Sequence, residues 1–247
     1  MKKKPVIQIA LCAIFFLLQG HSFAQKIDMV LVKGGTFTMG CTPEQSDCCK
    51  NNKTKTVTVK DFYIAKFEVT QALWKAVAGT KNYPYFPQGD NLPALSVSWY
   101  DTQAFIKKLN ELTGKNYRLP TEAEWEFTAR GGVNSKGYKY SGSNVLDDVS
   151  WYFGNAKKKE NISNYRDFQP VGTKLPNELG IYDMTGNVWE WCSDEYGNYK
   201  EVRVLCGGGI YSNKECDLRV TARVFDVRDN GMGMSGSYGF RLACDAE

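Results

Sequence analysis

Apolar and polar residues alternate through "KIDMVLVKGGTFTMGC", on both sides of Lys33-Gly34-Gly35, and this pattern predicts a hairpin turning at those three residues. A polar loop, "TPEQSDCCKNNKT", separates it from a further strand pattern in "KTVTVKDFYIAKFEVT". The period then changes to that of a helix. Thr70 is placed to cap "QALWKAVAG", whose Leu73, Trp74 and Val77 share a face and whose Gly79 ends it. "SVSWYDTQAFIKKLNELTG" is the clearest helix: Ser98 and Asp101 form a capping-box start, Phe105, Leu109 and Leu112 the apolar stripe, and Gly114 the stop. "RLPTEAEWEFTARGG" repeats the arrangement, with Thr121 as N-cap, Glu124 three residues on, and Gly131-Gly132 as terminator. Beyond Gly132 the signals are turns and short strands. Helices in the first half followed by irregular β predict an α+β fold rather than βαβ repeats.

The longest apolar run lies at the start. "MKKKPVIQIALCAIFFLLQGHSFAQ" has a lysine n-region, an apolar run from Val6 to Leu18, and small residues Ser22 and Ala24 before a cleavage position. The run is short for a membrane span and no second one follows, so residues 1–24 are expected to be a secretory signal and 25–247 the mature domain. Leu11 precedes Cys12 where a lipid-anchor signal needs a small residue. The expected destination is the periplasm, the cell surface or the extracellular space.

Cleavage changes the charge and the chemistry. The chain carries +4 overall, and the three leader lysines account for all but one of these charges. That leaves no electrostatic footprint for nucleic acid or an anionic membrane. The single histidine, His21, leaves with the leader, which excludes Ser-His-Asp and Cys-His catalysis and any imidazole-ligated metal in the mature domain. Six tryptophans and many other aromatics can fill one core, and no low-complexity linker divides the chain, so a single loop-rich domain is expected.

"YDMTGNVWEW" brings Asp183 and Glu190 to the two sides of a tight Thr185-Gly186-Asn187 turn, where two carboxylates and turn carbonyls can converge on a hard cation such as calcium. The competing reading is a turn with solvated acids and with Trp189 and Trp191 as core. In "EAEWE", Glu124 completes the cap, and Glu122 and Glu126 complement the dipole of the first helical turn.

Three stretches carry a resemblance: "RLPTEAEWEFTARGG" (118–132), "NELGIYDMTGNVWEW" (177–191), and the ending with its glycine triplet, "RVTAR" and "GSYGFRLA" (203–243). "GGTFTMG" (34–40) and "FEVTQALW" (67–74) add weaker matches. Together and in this order they resemble the formylglycine-generating enzyme family, also called the sulfatase-modifying factor family, from about Met29 to Ala243. The resemblance implies a single domain related to the C-type lectin fold, with bound calcium. In catalytic members two cysteines hold copper(I), which with oxygen converts a sulfatase cysteine to formylglycine; other members bind or assemble. Calcium ligands of the family fall on Asp183, Gly186, Val188 and Glu190, the middle two through backbone carbonyls. A second site falls on Asn155 and Ala156 with residues 166–168.

The family's copper cysteines stand five apart after a Gly-Gly pair. Counted forward from Gly207-Gly208, the first falls on Ser212; counted back from Arg223, it falls on Ile210. The second falls on Glu215, beside Cys216, and the family serine after the glycines is replaced by Gly209. Copper(I) needs its soft ligand pair, so at most Cys216 is retained and copper is not expected. The seven mature cysteines, 41, 48, 49, 192, 206, 216 and 244, instead suggest disulfides in an oxidising compartment. Expected pairings are Cys192 with Cys216, Cys206 with Cys244, and Cys41 with Cys48 or Cys49, the other of these two being free. The resulting expectation is an exported domain that acts in binding or cell-surface assembly. Its partner, a protein or surface ligand, would meet the C-terminal loops, where Arg228, Asp229, Asn230, Met232, Met234 and Tyr238 are expected at the surface. The alternative is a copper-dependent oxidase acting on a sulfatase cysteine through Cys216 and another thiol, such as Cys206.

Overall fold

The computed structural model describes residues 26–49, 53–79, 88–156, 158–159, 162–228, 230 and 236–246; the expected leader lies outside them. Strands β1 (Met29–Val32), β2 (Gly35–Gly40), β3 (Thr54–Val59) and β4 (Phe62–Ala65) come first, then helices α1 (Gln71–Ala78), α2 (Trp99–Thr113), α3 (Glu122–Ala129) and the single turn α4 (Leu146–Val149). The second half is strand and loop: β5 (Lys158–Lys159), β6 (Ile162–Arg166), β7 (Trp189–Tyr196), β8 (Tyr199–Cys206), β9 (Arg223–Val227), β10 (Tyr238–Gly239) and β11 (Ala243–Asp245). The sheets run β1-β4-β11 and β10-β7-β8-β9, with two-stranded pairs β2-β3 and β5-β6. This is the expected α+β arrangement.

The first hairpin turns elsewhere than the alternation predicts. β1 pairs with β4, from Met29↔Ala65 to Val32↔Phe62, and β2 pairs with β3, from Gly35↔Val59 to Gly40↔Thr54. Both pairings share one register, so β1–β2 and β3–β4 are the two arms of one long ribbon, joined through residues 41–53. Lys33-Gly34 is an interruption within one arm. Asp61 on the other arm accepts from Lys33 Nζ and from Gly34 N, each at 2.8 Å. A Cβ on Gly34 would stand 2.4 Å from the Val59 carbonyl oxygen, so glycine here serves close approach rather than a turn.

The helix starts are as the sequence predicts. Thr70 accepts from Leu73 N. Ser98 with Asp101 and Thr121 with Glu124 complete reciprocal capping boxes. α1 and α2 pack through Trp74 stacked on Phe105 at 5.0 Å, with Phe240 edge-on to both. The buried face of α2 ends at Leu109; Leu112, one turn further on, is 45% exposed, contrary to its place in the predicted stripe. A second core gathers Phe62, Ile64, Trp125 and Phe127 against Cys192, Val204 and Cys206 of the central strands.

Candidate functional site

The turn before β7 is tight because three successive features demand it: Asp183, Gly186 and Asn187 all take positive φ, at 58°, 85° and 56°. A Cβ on Gly186 would lie 2.3 Å from the Trp151 carbonyl oxygen. Asn187 holds the turn, donating from Nδ2 to Glu68 Oε2 at 2.7 Å and to the Gln169 carbonyl. Val188 N donates to Glu68 Oε1. Asp183 Oδ2 accepts from Gly172 N at 2.6 Å.

Glu190, fully buried, faces a different partner. Arg241 donates Nε to Oε2 at 2.6 Å and Nη2 to Oε1 at 2.5 Å, and Trp125 Nε1 donates to Oε2 at 2.7 Å. Arg241 also binds the Ala65 and Tyr182 carbonyls. Glu68, Asp183 and Glu190 are thus three buried carboxyl groups beside one guanidinium. Burial lifts Asp183 to about 6. Burial, followed by the charges of Asp183 and Glu190, lifts Glu68 well above the usual carboxylate range.

The expected second site is placed nearby. Ala156 packs with Leu95, Phe168, Val188 and Ile210 in one small cluster. The Asn155 side chain is used locally: Nδ2 donates to Asp147 and to the Ser150 carbonyl, and Oδ1 accepts from Tyr152 N. Among the described residues, no group of three or more His, Cys, Asp or Glu side chains takes a metal-holding arrangement.

The glycine triplet is joined to this turn. Gly186 N donates to the Gly207 carbonyl and Ile210 N to the Asn187 carbonyl. Gly207 and Gly208 have φ of 95° and 79°, and Cβ atoms there would stand 2.8 Å from the Trp125 ring and 2.4 Å from the Asp217 carbonyl oxygen. The two positions where a first copper cysteine would fall have other tasks. Ile210 is fully buried core, and Ser212 Oγ accepts from Gly209 N.

Cys216, in a 3-10 turn at Glu215–Leu218, is bonded to Cys48, with S–S at 2.10 Å. Cys48 ends a matching 3-10 turn, Pro43–Cys48, which Cys41–Cys49 closes as a small ring. Arg219 reinforces the bridge, donating to Asp47 Oδ2 at 2.8 Å and packing over Tyr140. Tyr140 in turn donates to Glu215, and burial pushes its phenol to about 12.

Of the expected disulfides, the Cys41–Cys49 alternative is present. Cys192–Cys216 and Cys206–Cys244 are not, and Cys48 is not free. Cys192 and Cys206 lie on neighbouring strands β7 and β8 and both point into the core, with their sulfurs 3.8 Å apart. Cys216 is on the outer loop, and Cys244 belongs to the other sheet. Burial pushes the Cys192 thiol up.

"EAEWE" also differs from expectation at Glu126. Beyond complementing the dipole of the first turn, it is fully buried, accepting from Gly40 N at 2.8 Å, from Arg130 Nε at 2.9 Å and from Arg223. Arg223 also pairs with Glu122 at 2.8 Å. Tyr238, expected at the surface, is buried edge-on to Trp191 and donates to Asp226. Arg228 pairs with Glu201 and packs over Tyr100. Asp229, Met232 and Met234 lie outside the described residues.

The match that decides the family is to the sulfatase-modifying factor enzyme 1-like domain, over residues 18–246. The chain belongs to this family. The Chaperone protein LppX of Paenibacillus barcinonensis is 37% identical, over 83% of this chain and 86% of LppX. The Inactive C-alpha-formylglycine-generating enzyme 2 of Bos taurus is 30% identical over 72% of this chain, and the Formylglycine-generating enzyme of Streptomyces coelicolor 34% over 64%. This chain spans 58% and 54% of those two proteins. Among solved structures, Treponema denticola variable protein 1 superposes with a TM-score of 0.70 at 27% identity, covering 88% of this chain and 95% of that one. The family therefore includes proteins named as catalysts, as inactive, and as a chaperone, and only the site can assign this member.

Proposed function

We propose that this family member is an exported binding or assembly domain and does not generate formylglycine. The observation that carries the proposal is the Cys48–Cys216 disulfide. The one cysteine near the family's copper positions is oxidised and structural, and Ile210 and Ser212 stand where its partner would be. These residues do not fit a copper(I) site, which needs two thiolates. Export is supported by two disulfides, which persist in oxidising compartments. Among the described residues, no helix is long and apolar enough to cross a membrane. The name chaperone on LppX supports a role with other proteins.

The surface that best suits a partner follows β9, the edge of its sheet. Phe225 is 51% exposed and stacks on Tyr196, which stacks on Tyr199, itself 67% exposed. Exposed aromatic area of this kind is typical of protein contact sites. β9 leads toward the C-terminal loop proposed here to meet the partner.

Calcium belongs to the proposal with a smaller ligand set. Asp183 and the Gly186 and Val188 carbonyls suit a hard cation by donor type, and three buried carboxyl groups against one guanidinium leave the cluster short of positive charge. Glu190 does not fit as a ligand, because Arg241 and Trp125 occupy both its oxygens.

The assay that tests the function supplies the purified mature domain with copper(I), oxygen and a cysteine-containing sulfatase peptide, with a catalytic family member as control. The expected result is no aldehyde product. Turnover would favour the alternative of an oxidase, with Cys192 and Cys206 as the only thiols in mutual contact among the described residues.

A further inference from the structure

We propose that Cys192 and Cys206 close to a third disulfide during folding, leaving Cys244 as the one free thiol of the described domain. This inference rests on the proposed export to an oxidising compartment and not on the binding role.

Three observations carry it. The two sulfurs are 3.8 Å apart, which is van der Waals contact with no room for an intervening group. Their strands are already paired: Glu190 stands opposite Cys206 and Trp191 opposite Leu205, so Cys192, two residues beyond Glu190, lies diagonally across from Cys206. A bond needs the sulfurs to close from contact to about 2.05 Å, a local adjustment of the two strands and their side chains. Finally, the other cysteines leave no competing partner. Cys41 with Cys49 and Cys48 with Cys216 are consumed, and Cys244 lies on β11 of the other sheet. The same oxidising surroundings that form those two bridges act on this pair.

The reaction is thiol–disulfide exchange with a small-molecule disulfide as oxidant. One cysteine thiolate attacks an oxidant sulfur and expels a thiolate. The second cysteine thiolate then displaces the remaining half, forming the Cys192–Cys206 bond. The two cysteine protons end on the two departing thiolates, so the oxidant takes up two electrons and two protons. Both sulfurs are buried in the folded domain, so exchange takes place after β7 and β8 pair and before Trp125 and the rest of that core pack over them.

The bridge pins the ribbon whose tip carries Tyr196 and Tyr199. It also sits beside the salt bridges of Arg223, whose strand position is opposite Cys206. The site is thus a covalent tie between the core and the aromatic edge.

The test is a peptide map of the mature protein produced in an oxidising compartment, denatured and alkylated without reductant. The expected result is a cross-linked peptide joining Cys192 to Cys206, with alkylation at Cys244 alone among the seven. In a graded reduction, Cys48–Cys216, whose Cys216 is exposed, opens first, and Cys192–Cys206 opens only on unfolding. Cys206→Ala adds a check: Cys192 becomes alkylated and gains no new partner. Separate alkylation of Cys192 and Cys206 in protein that retains the other two bridges overturns the proposal. A bridge from either to Cys244 or Cys216 overturns it equally. The wild-type map decides even if the variant does not fold.

Discussion

Cys216 is joined covalently to Cys48, 168 positions earlier in the chain, and the bond ties the loop after the glycine triplet to the ring that Cys41 and Cys49 close. The loop that in catalytic relatives presents thiols is here held down at the point where a thiol would be needed. The tie is reinforced by Arg219, buried beneath it and paired with Asp47.

Opening that tie should cost stability and leave the fold. A closed loop of this length constrains the unfolded chain strongly, so Cys216→Ser is expected to lower stability by about 2–5 kcal/mol. Chemical denaturation of the oxidised protein measures it. An unchanged midpoint would show that the bridge constrains nothing.

Glu126 should be among the most sensitive positions of the domain. It is buried, and it holds Arg130, Arg223 and the backbone of Gly40 at once. Glu126→Gln is expected to cost about 3–5 kcal/mol, as when one partner of a buried ion pair is removed. Urea titration reads the loss, and a cost below about 1 kcal/mol would mark the cluster as solvent-screened.

Gly208 combines a positive φ with a backbone oxygen 2.4 Å from where a Cβ would lie, so Gly208→Ala is expected to cost about 1–3 kcal/mol. Gly180, with φ of 75° and open space around it, is the matched control, where alanine carries only the backbone term. Equal melting shifts for the two variants would contradict the account of close approach.

Calcium is expected to raise the melting temperature of the wild-type domain, and EGTA to reverse the rise. Asp183→Asn should melt at the same temperature in calcium and in EGTA. A calcium response that survives Asp183→Asn would place the ion elsewhere.

The sequence showed most clearly the features that are local. The capping boxes at Ser98 and Thr121, the helix stops at Gly79 and Gly114, and the turn at Gly186 each depend on a few neighbouring residues, and each stands where the pattern puts it. The order of the family stretches was equally legible. Disulfide connectivity was not, because it depends on which strands end up adjacent. Cys192 and Cys206 meet through β7–β8 pairing, and Cys48 and Cys216 through two turns far apart in the chain. Glu126 read as a helix-dipole partner and Glu190 as a metal-binding or solvated acid because their partners, Arg223 and Arg241, come from the C-terminal part of the chain. Glu68 was not read as a site residue; the signal available for it is a charge set between Phe67 and Val69, where only a satisfied polar role could be buried. The first hairpin was misplaced because Lys33-Gly34-Gly35 has turn composition, and only the opposite arm shows that pairing runs through it.

The most direct test of the central claim is a copper(I) titration of the oxidised mature protein beside its Cys216→Ser variant. With Cys216 committed to Cys48, the wild type is expected to take up no more copper than the variant, in which the Cys48 thiol is freed. A copper ion bound by the wild type and lost in Cys216→Ser would show a reduced, metal-binding Cys216, and would contradict the assignment of this loop as structural.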